Sequence, residues 1–177
     1  MDPKAFHKLG YGVYIVTSRK GEKLNGQIAN TVFQVTSEPP TIAVSINKQN
    51  LTWEYIKASG IFGVSVLCQD TPLPFIGKFG FKSGRNTDKF EGVSYKIGKN
   101  QTPIVLENAN AFFEAKVINQ VDVGTHTIFI GEIVDSEVLS DKTCLTYDYY
   151  QQVKRGTTPK TAPSYVAEKK EEPPKNG

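Results

Sequence analysis

From residue 12 to residue 138 the chain is a succession of short β-branched and aromatic runs, each cut off by glycine, proline or charged turn residues. Gly12–Ser18 (GVYIVTS) is such a run and ends in the turn Arg19-Lys-Gly-Glu-Lys. Ala29–Thr36 and Thr41–Ile46 read as two more strands, separated by Ser37-Glu-Pro-Pro. Ile61–Leu67 is apolar almost throughout, which predicts a strand covered on both faces. Phe112–Val117 alternates, with Phe113, Ala115 and Val117 on one face and Phe112, Glu114 and Lys116 on the other. Ile128–Val138 reads as a long last strand. Only two helices are predicted. Thr52–Lys57 follows the polar Asn50, which can cap it. Thr71–Phe79 opens with Thr71 as a cap and Pro72 at the first helical position. Neither a βαβ alternation nor an internal repeat is present. The chain therefore predicts a mainly β fold, an antiparallel barrel with a few short peripheral helices, rather than a doubly wound sheet.

Charge and segment composition narrow the function. The net charge is +3, but residues 151–177 hold six Lys/Arg and three Asp/Glu, leaving 15 of each sign in residues 1–150. A duplex binder needs a concentrated basic face, and a neutral body has none. Nucleic acid is discounted. No stretch approaches the ~20 apolar residues of a membrane helix, and the start, Met1-Asp-Pro-Lys, lacks an apolar signal region. A cytoplasmic protein is expected, in which the sequons at Asn50 and Asn100 carry no glycan. Cys68 and Cys144 are far apart in the sequence with no CxxC or metal spacing, which predicts two reduced, buried thiols. After Tyr150 the chain turns Pro- and Thr-rich, and Glu168–Gly177 is almost wholly charged or Pro/Gly. The predicted organisation is a domain over 1–150 and an extension over 151–177 that ends in a linker-like tail.

Two familiar phosphate motifs fail. Gly10-Tyr-Gly-Val lacks the third glycine of a dinucleotide fingerprint and runs into a strand. Gly77-Lys78 is followed by Phe79 rather than Ser or Thr, so there is no P-loop. Three other segments are richer. Gly77–Phe90 (GKFGFKSGRNTDKF) supplies Lys78, Lys82, Ser83, Arg85 and Lys89, with Gly80 and Gly84 to admit a ligand to the backbone. Taken alone it reads more readily as a solvated basic loop. Ser45–Thr52 (SINKQNLT) places hydroxyls, amides and one lysine where a strand gives way to a helix, a natural anion site or a plain turn. Asn25–Thr31 (NGQIANT) sets polar side chains within a strand, where they need partners if buried.

Four blocks in order, NGQIANTVFQVTSEPP (25–40), SINKQNLTWEYI (45–56), GFKSGRNTDKF (80–90) and GTHTIFIGEIVDSEV (124–138), resemble the flavin reductase-like family with its FMN-binding split β-barrel. The pattern is nearest to the flavoredoxins and to the flavin domains joined to rubredoxin, and it covers roughly residues 5–150. The resemblance implies an FMN cofactor. Asn30 and Thr31 would face the ring and ribityl chain, with Gln27 at the ring edge. Ser45, Asn47, Lys48, Asn50 and Thr52 would surround the ribityl and phosphate groups. Phe81, Lys82 and Ser83 would complete the phosphate cup, with Arg85 near it. His126 is the one histidine implied near flavin and nicotinamide; Thr125 stands where nicotinamide-reducing members carry Asp. The other aromatics, Trp53, Tyr55, Phe75 and Phe79, read as core or interface packing. The resemblance further implies NADH or NADPH as donor, and a free flavin, a rubredoxin or a diiron flavoprotein as acceptor. It also implies a homodimer that closes the pocket. The rival reading is a flavin-binding electron carrier with no nicotinamide site, fed by another reductase.

Overall fold

The computed structural model describes residues 2–165. After a 3-10 turn over Pro3–Lys8, the strands are β1 (Tyr14–Lys20), β2 (Lys23–Ala29), β3 (Val32–Ser37) and β4 (Pro40–Asn47). Helix α1 (Leu51–Ser59) leads to β5 (Ile61–Leu67), and α2 (Leu73–Gly80) to the short pair β6 (Tyr95–Ile97) and β7 (Pro103–Val105). The hairpin β8 (Ala109–Val123) and β9 (His126–Val138) precedes α3 (Tyr147–Gln152). Seven strands form one antiparallel sheet in the order β2-β1-β5-β8-β9-β4-β3. Its two edge strands, β2 and β3, are consecutive in the chain with only Asn30 and Thr31 between them. The sheet must therefore curl until its edges meet, and the result is a barrel split along that seam.

The barrel interior holds Val16, Val44, Ile46, Phe62, Val64 and Phe129, plugged by Ile56 of α1. A second core lies outside the sheet, where Ile15, Leu67 and Val105 meet Ile76, Phe79, Phe90, Leu145 and Tyr150. Neighbouring residues of β1 thus point into different cores: Val16 inward, Ile15 outward. The same two-sided cover explains the apolar run of β5, as its sequence predicts.

Four local expectations are corrected. The run Ala29–Thr36 is broken at Asn30 and Thr31, because the chain crosses the seam there. Thr71 does not cap α2: its hydroxyl donates to the Cys68 carbonyl (2.6 Å), and Pro72 occupies the cap position. Asn50 sits at the cap of α1, yet its side chain makes no cap hydrogen bond. Cys68 and Cys144 are paired opposite one another across an isolated antiparallel bridge, and Cys144 is exposed. The charged tail Glu168–Gly177 lies outside the described residues. Among the described residues no helix is long and apolar enough to cross a membrane.

Candidate functional site

A cleft of about 420 Å³ runs along the seam. Its floor comes from β2. Asn25 and Gln27, two residues apart on one strand, share a face. The Asn25 Nδ2 donates to Thr52 Oγ1 (2.8 Å), tying β2 to the first turn of α1. The other side-chain atoms are not satisfied: Asn25 Oδ1 and Gln27 Oε1 are buried without a hydrogen-bond partner among the described residues. Buried polar atoms are paired in the great majority of cases, so two orphan acceptors in one cleft ask for donors from outside the chain.

The second wall is the passage from β4 into α1. Asn47 Oδ1 accepts the Gln49 N–H (3.0 Å) and tightens the turn. Because Asn50 does not cap with its side chain, the first turn of α1, Leu51 and Thr52, meets the cleft uncapped. Such a helix start favours an anion.

The third wall is the loop Gly80–Arg85 that leaves α2. A Cβ at Gly84 would lie 2.0 Å from Asn25 Oδ1, so only glycine lets the loop press onto β2 here. Ser83 Oγ accepts the Arg85 N–H (3.2 Å). The Arg85 guanidinium is ion-paired with Glu54 on α1, and that carboxylate pushes the Arg85 pKa further up. Lys82, by contrast, makes no hydrogen bond or ion pair with any described residue. Its ammonium is available to a ligand. Lys89, beneath the loop, is buried and donates to the carbonyls of Gly26 (2.8 Å) and Phe79 (3.0 Å). Burial pulls its pKa from 10.5 down to about 8.

The segment after α3 covers the mouth. Tyr147 and Tyr150 of α3 hold it, through hydrogen bonds from Tyr150 to the Thr157 carbonyl (2.9 Å) and between Tyr147 and Thr158. A Cβ at Gly156 would lie 2.0 Å from the Tyr150 ring, so the chain can turn back over that ring only at a glycine. From there Thr157 and Pro159–Pro163 line the cleft. The Asn30 amide reaches Ser164, and His126 Nε2 lies 3.2 Å from the Thr161 carbonyl.

Ten of the residues singled out in the sequence meet in this cleft: Gln27, Asn30, Ser45, Asn47, Asn50, Thr52, Phe81, Lys82, Ser83 and Arg85. Three do not line it. Thr31 is beside it and donates to Asn30 Oδ1 (3.2 Å). Lys48 turns away to Asp122 on the β8–β9 hairpin (3.4 Å). His126 pairs opposite Asn47 in the sheet but points to the cover, and its Nδ1 accepts from the Thr125 hydroxyl at 2.8 Å when Nε2 carries the proton. Burial lowers its pKa, which favours that neutral ring. Asn25 and Lys89 were inside quoted motifs without an assigned role. The tyrosines of α3 and the cover gave no signal that sequence reasoning could use, because they act only through tertiary packing.

Comparison with known proteins places this geometry. Residues 6–157 match the flavin reductase like domain. The chain belongs to the flavin reductase-like family. It is 57% identical over 166 residues to high molecular weight rubredoxin of Moorella thermoacetica, covering 94% of this chain and 72% of that protein. It is 54% identical over 169 residues to ferric-chelate reductase (NAD(P)H) of Archaeoglobus fulgidus, covering 96% of this chain and 100% of that protein. Among solved structures, the flavin reductase HpaC in complex with NADP+ superimposes with a TM-score of 0.71 at 28% identity, covering 81% of this chain and 89% of that one. The split barrel is the fold of the family.

Proposed function

We propose that the cleft holds FMN and that the chain passes electrons from a reduced nicotinamide, through that flavin, to a second acceptor. The chain is an oxidoreductase of the flavin reductase-like family, and the cleft has the chemistry such a cofactor needs. The observation that carries the reading is the pair of orphan acceptors, Asn25 Oδ1 and Gln27 Oε1. FMN brings hydroxyl and N–H donors that satisfy acceptors of this kind. Its phosphate is served by Lys82, which has no partner among the described residues, by Ser83 and by the uncapped start of α1. Held by these residues, FMN would supply the hydride-accepting and electron-donating chemistry, which belongs to the cofactor. The chain's own work is binding, orientation and exclusion of water. Gln27 and Asn30 orient the ring, Asn25 and Thr52 hold the ribityl side, and the cover limits access to solvent. His126, neutral and held by Thr125 and the cover, positions that cover rather than moving a proton.

Two acceptors are supported. A rubredoxin-type or diiron flavoprotein partner fits the rubredoxin relative, and a ferric chelate fits the ferric-chelate reductase relative, whose whole length this chain matches. A homodimer is supported by the exposed apolar side chains Phe33, Val35 and Val134 on the outer face near the free edge β3. The dependence on reduced nicotinamide points to the cytoplasm. The test is direct. The purified protein is expected to be yellow, to release FMN rather than FAD on denaturation, and to oxidise NADH or NADPH anaerobically when a ferric chelate or rubredoxin is supplied. A colourless protein that takes up no added FMN overturns the cofactor assignment. Flavin without nicotinamide turnover leaves the electron carrier fed by another reductase.

A further inference from the structure

We infer that Cys68 and Cys144 form a reversibly oxidisable dithiol whose disulfide fastens the C-terminal cover to the barrel. The register makes the pair. Leu145 N–H donates to the Leu67 carbonyl (2.8 Å) and Gln69 N–H to the Thr143 carbonyl (2.8 Å), so these two bonds flank Cys68 and Cys144. The cysteines therefore occupy a non-hydrogen-bonded antiparallel site, where Cα atoms approach to about 4.5 Å. A disulfide spans roughly 4.4–6.8 Å between Cα atoms, so the bridge forms without moving the backbone apart. Both thiols also lie on the same side of the ladder, because one side chain touches both. Cys68 Sγ donates to Asn110 Oδ1 at 2.9 Å, and Asn110 Nδ2 donates to Cys144 Sγ at 3.4 Å.

The two thiols differ in access. Cys144 is exposed and Cys68 is buried. An oxidant reaches Cys144 first. With a low-molecular-weight disulfide such as oxidised glutathione, the Cys144 thiolate attacks one sulfur, forms a mixed disulfide and expels one thiolate. The Cys68 thiolate then attacks Cys144 Sγ and expels the second. One S–S bond within the protein replaces the one consumed, and the two thiol protons end on the two released thiols. Burial raises the Cys68 pKa, so this closing step speeds up as pH rises.

The bond joins the residue that follows β5 to the segment just before α3. Thr146 follows at once and caps α3 by accepting the Tyr149 N–H at 3.2 Å. Tyr147 and Tyr150 of that helix carry the cover, so the bridge anchors the base of the segment that closes the cleft.

The test uses the full chain in anaerobic buffers spanning reduced to oxidised glutathione, with peptide mass mapping and amide hydrogen exchange. Both thiols are expected to disappear together, with a linked Cys68–Cys144 peptide that reduction reverses. Exchange over residues 146–161 is expected to slow several-fold in the oxidised protein. Cys144→Ser, at the exposed position, is expected to fold normally and to lose both the link and the slowing; Cys68→Ser is the reciprocal variant. Two thiols that stay free throughout, or a glutathione adduct on Cys144 that never resolves, overturn the pair. A link formed with unchanged exchange over 146–161 overturns the fastening of the cover. Neither readout involves the flavin, so failure here is distinct from failure of the FMN assignment.

Discussion

Two clusters of buried polar side chains lie on opposite flanks of the barrel and treat their oxygens in opposite ways. On β8, Glu114 is fully buried, and each carboxyl oxygen accepts a backbone N–H at 2.8 Å, one from Lys99 and one from Asn100. On β2, Asn25 and Gln27 each leave a buried oxygen without a partner among the described residues. The first cluster is complete and holds the loop between β6 and β7 against the sheet. The second is complete only when something else arrives. An unmade hydrogen bond costs more than a made one contributes, so a fold keeps such atoms where a ligand repays them.

The contrast breaks most sharply at Glu114. Glu114→Ala is expected to empty a fully buried site, strip the partners from two partly buried N–H groups and cost about 3 kcal/mol of stability, while flavin affinity of the folded fraction is unchanged. Urea unfolding with a shifted midpoint and constant slope measures it. Equal loss of stability and flavin affinity would mean that the two flanks are not separate.

Lys89 lies between the extremes, since its amine is buried but makes two hydrogen bonds. Its pKa is about 8 in the folded chain against 10.5 unfolded, so between those values the unfolded chain binds more protons. Its contribution to stability therefore rises with pH across that window, at no more than about 1.4 kcal/mol per pH unit, and is flat below it. The difference between wild type and Lys89→Met, followed by denaturant unfolding from pH 7 to 10.5, isolates the effect. A parallel pH dependence in the variant would exclude Lys89 as the source.

Within the cleft, Lys82→Ala is expected to remove a charge-assisted contact to the phosphate worth roughly 1.5–3 kcal/mol and so to weaken FMN binding by about tenfold or more. Riboflavin, without the phosphate, is expected to bind both proteins alike, and Lys23→Ala serves as the control. Equal losses for FMN and riboflavin would make Lys82 a loop-shaping residue. The smallest effect sharpens the comparison best. Gln27→Leu discards an orphan oxygen, so the flavin-free protein is expected to keep its stability or gain about 1 kcal/mol, while FMN binding falls several-fold. A destabilised flavin-free variant would mean that Gln27 is already paired.

The sequence carried the strands whose residues alternate or run apolar, and β5 is the clearest case. It did not carry the break at Asn30 and Thr31, because a single strand-depleted Asn between β-prone neighbours does not end a strand and only sheet closure demands the crossing. The three-residue strands β6 and β7 are too short for any period to emerge. The cleft was legible wherever polar residues interrupt an apolar pattern, as at 25–31 and 45–52. Lys89 was not, since a lysine in a basic loop reads as solvated until the fold buries it. The thiol pair was hidden for a similar reason: sequence distance says nothing of a bridge between the end of β5 and a segment far downstream.

The two-residue crossing at Asn30 and Thr31 also acts as a mechanical stop. Three Cα steps join Ala29 to Val32, so the lips of the seam can never part there by more than about 11 Å, whatever the barrel does elsewhere. At that end the seam cannot gape to admit a molecule the size of a flavin nucleotide. On the far side the wall is the stretch from Thr157 to Pro163, tied to α3 through Tyr147 and Tyr150, so lifting that stretch would open the cleft where the crossing cannot.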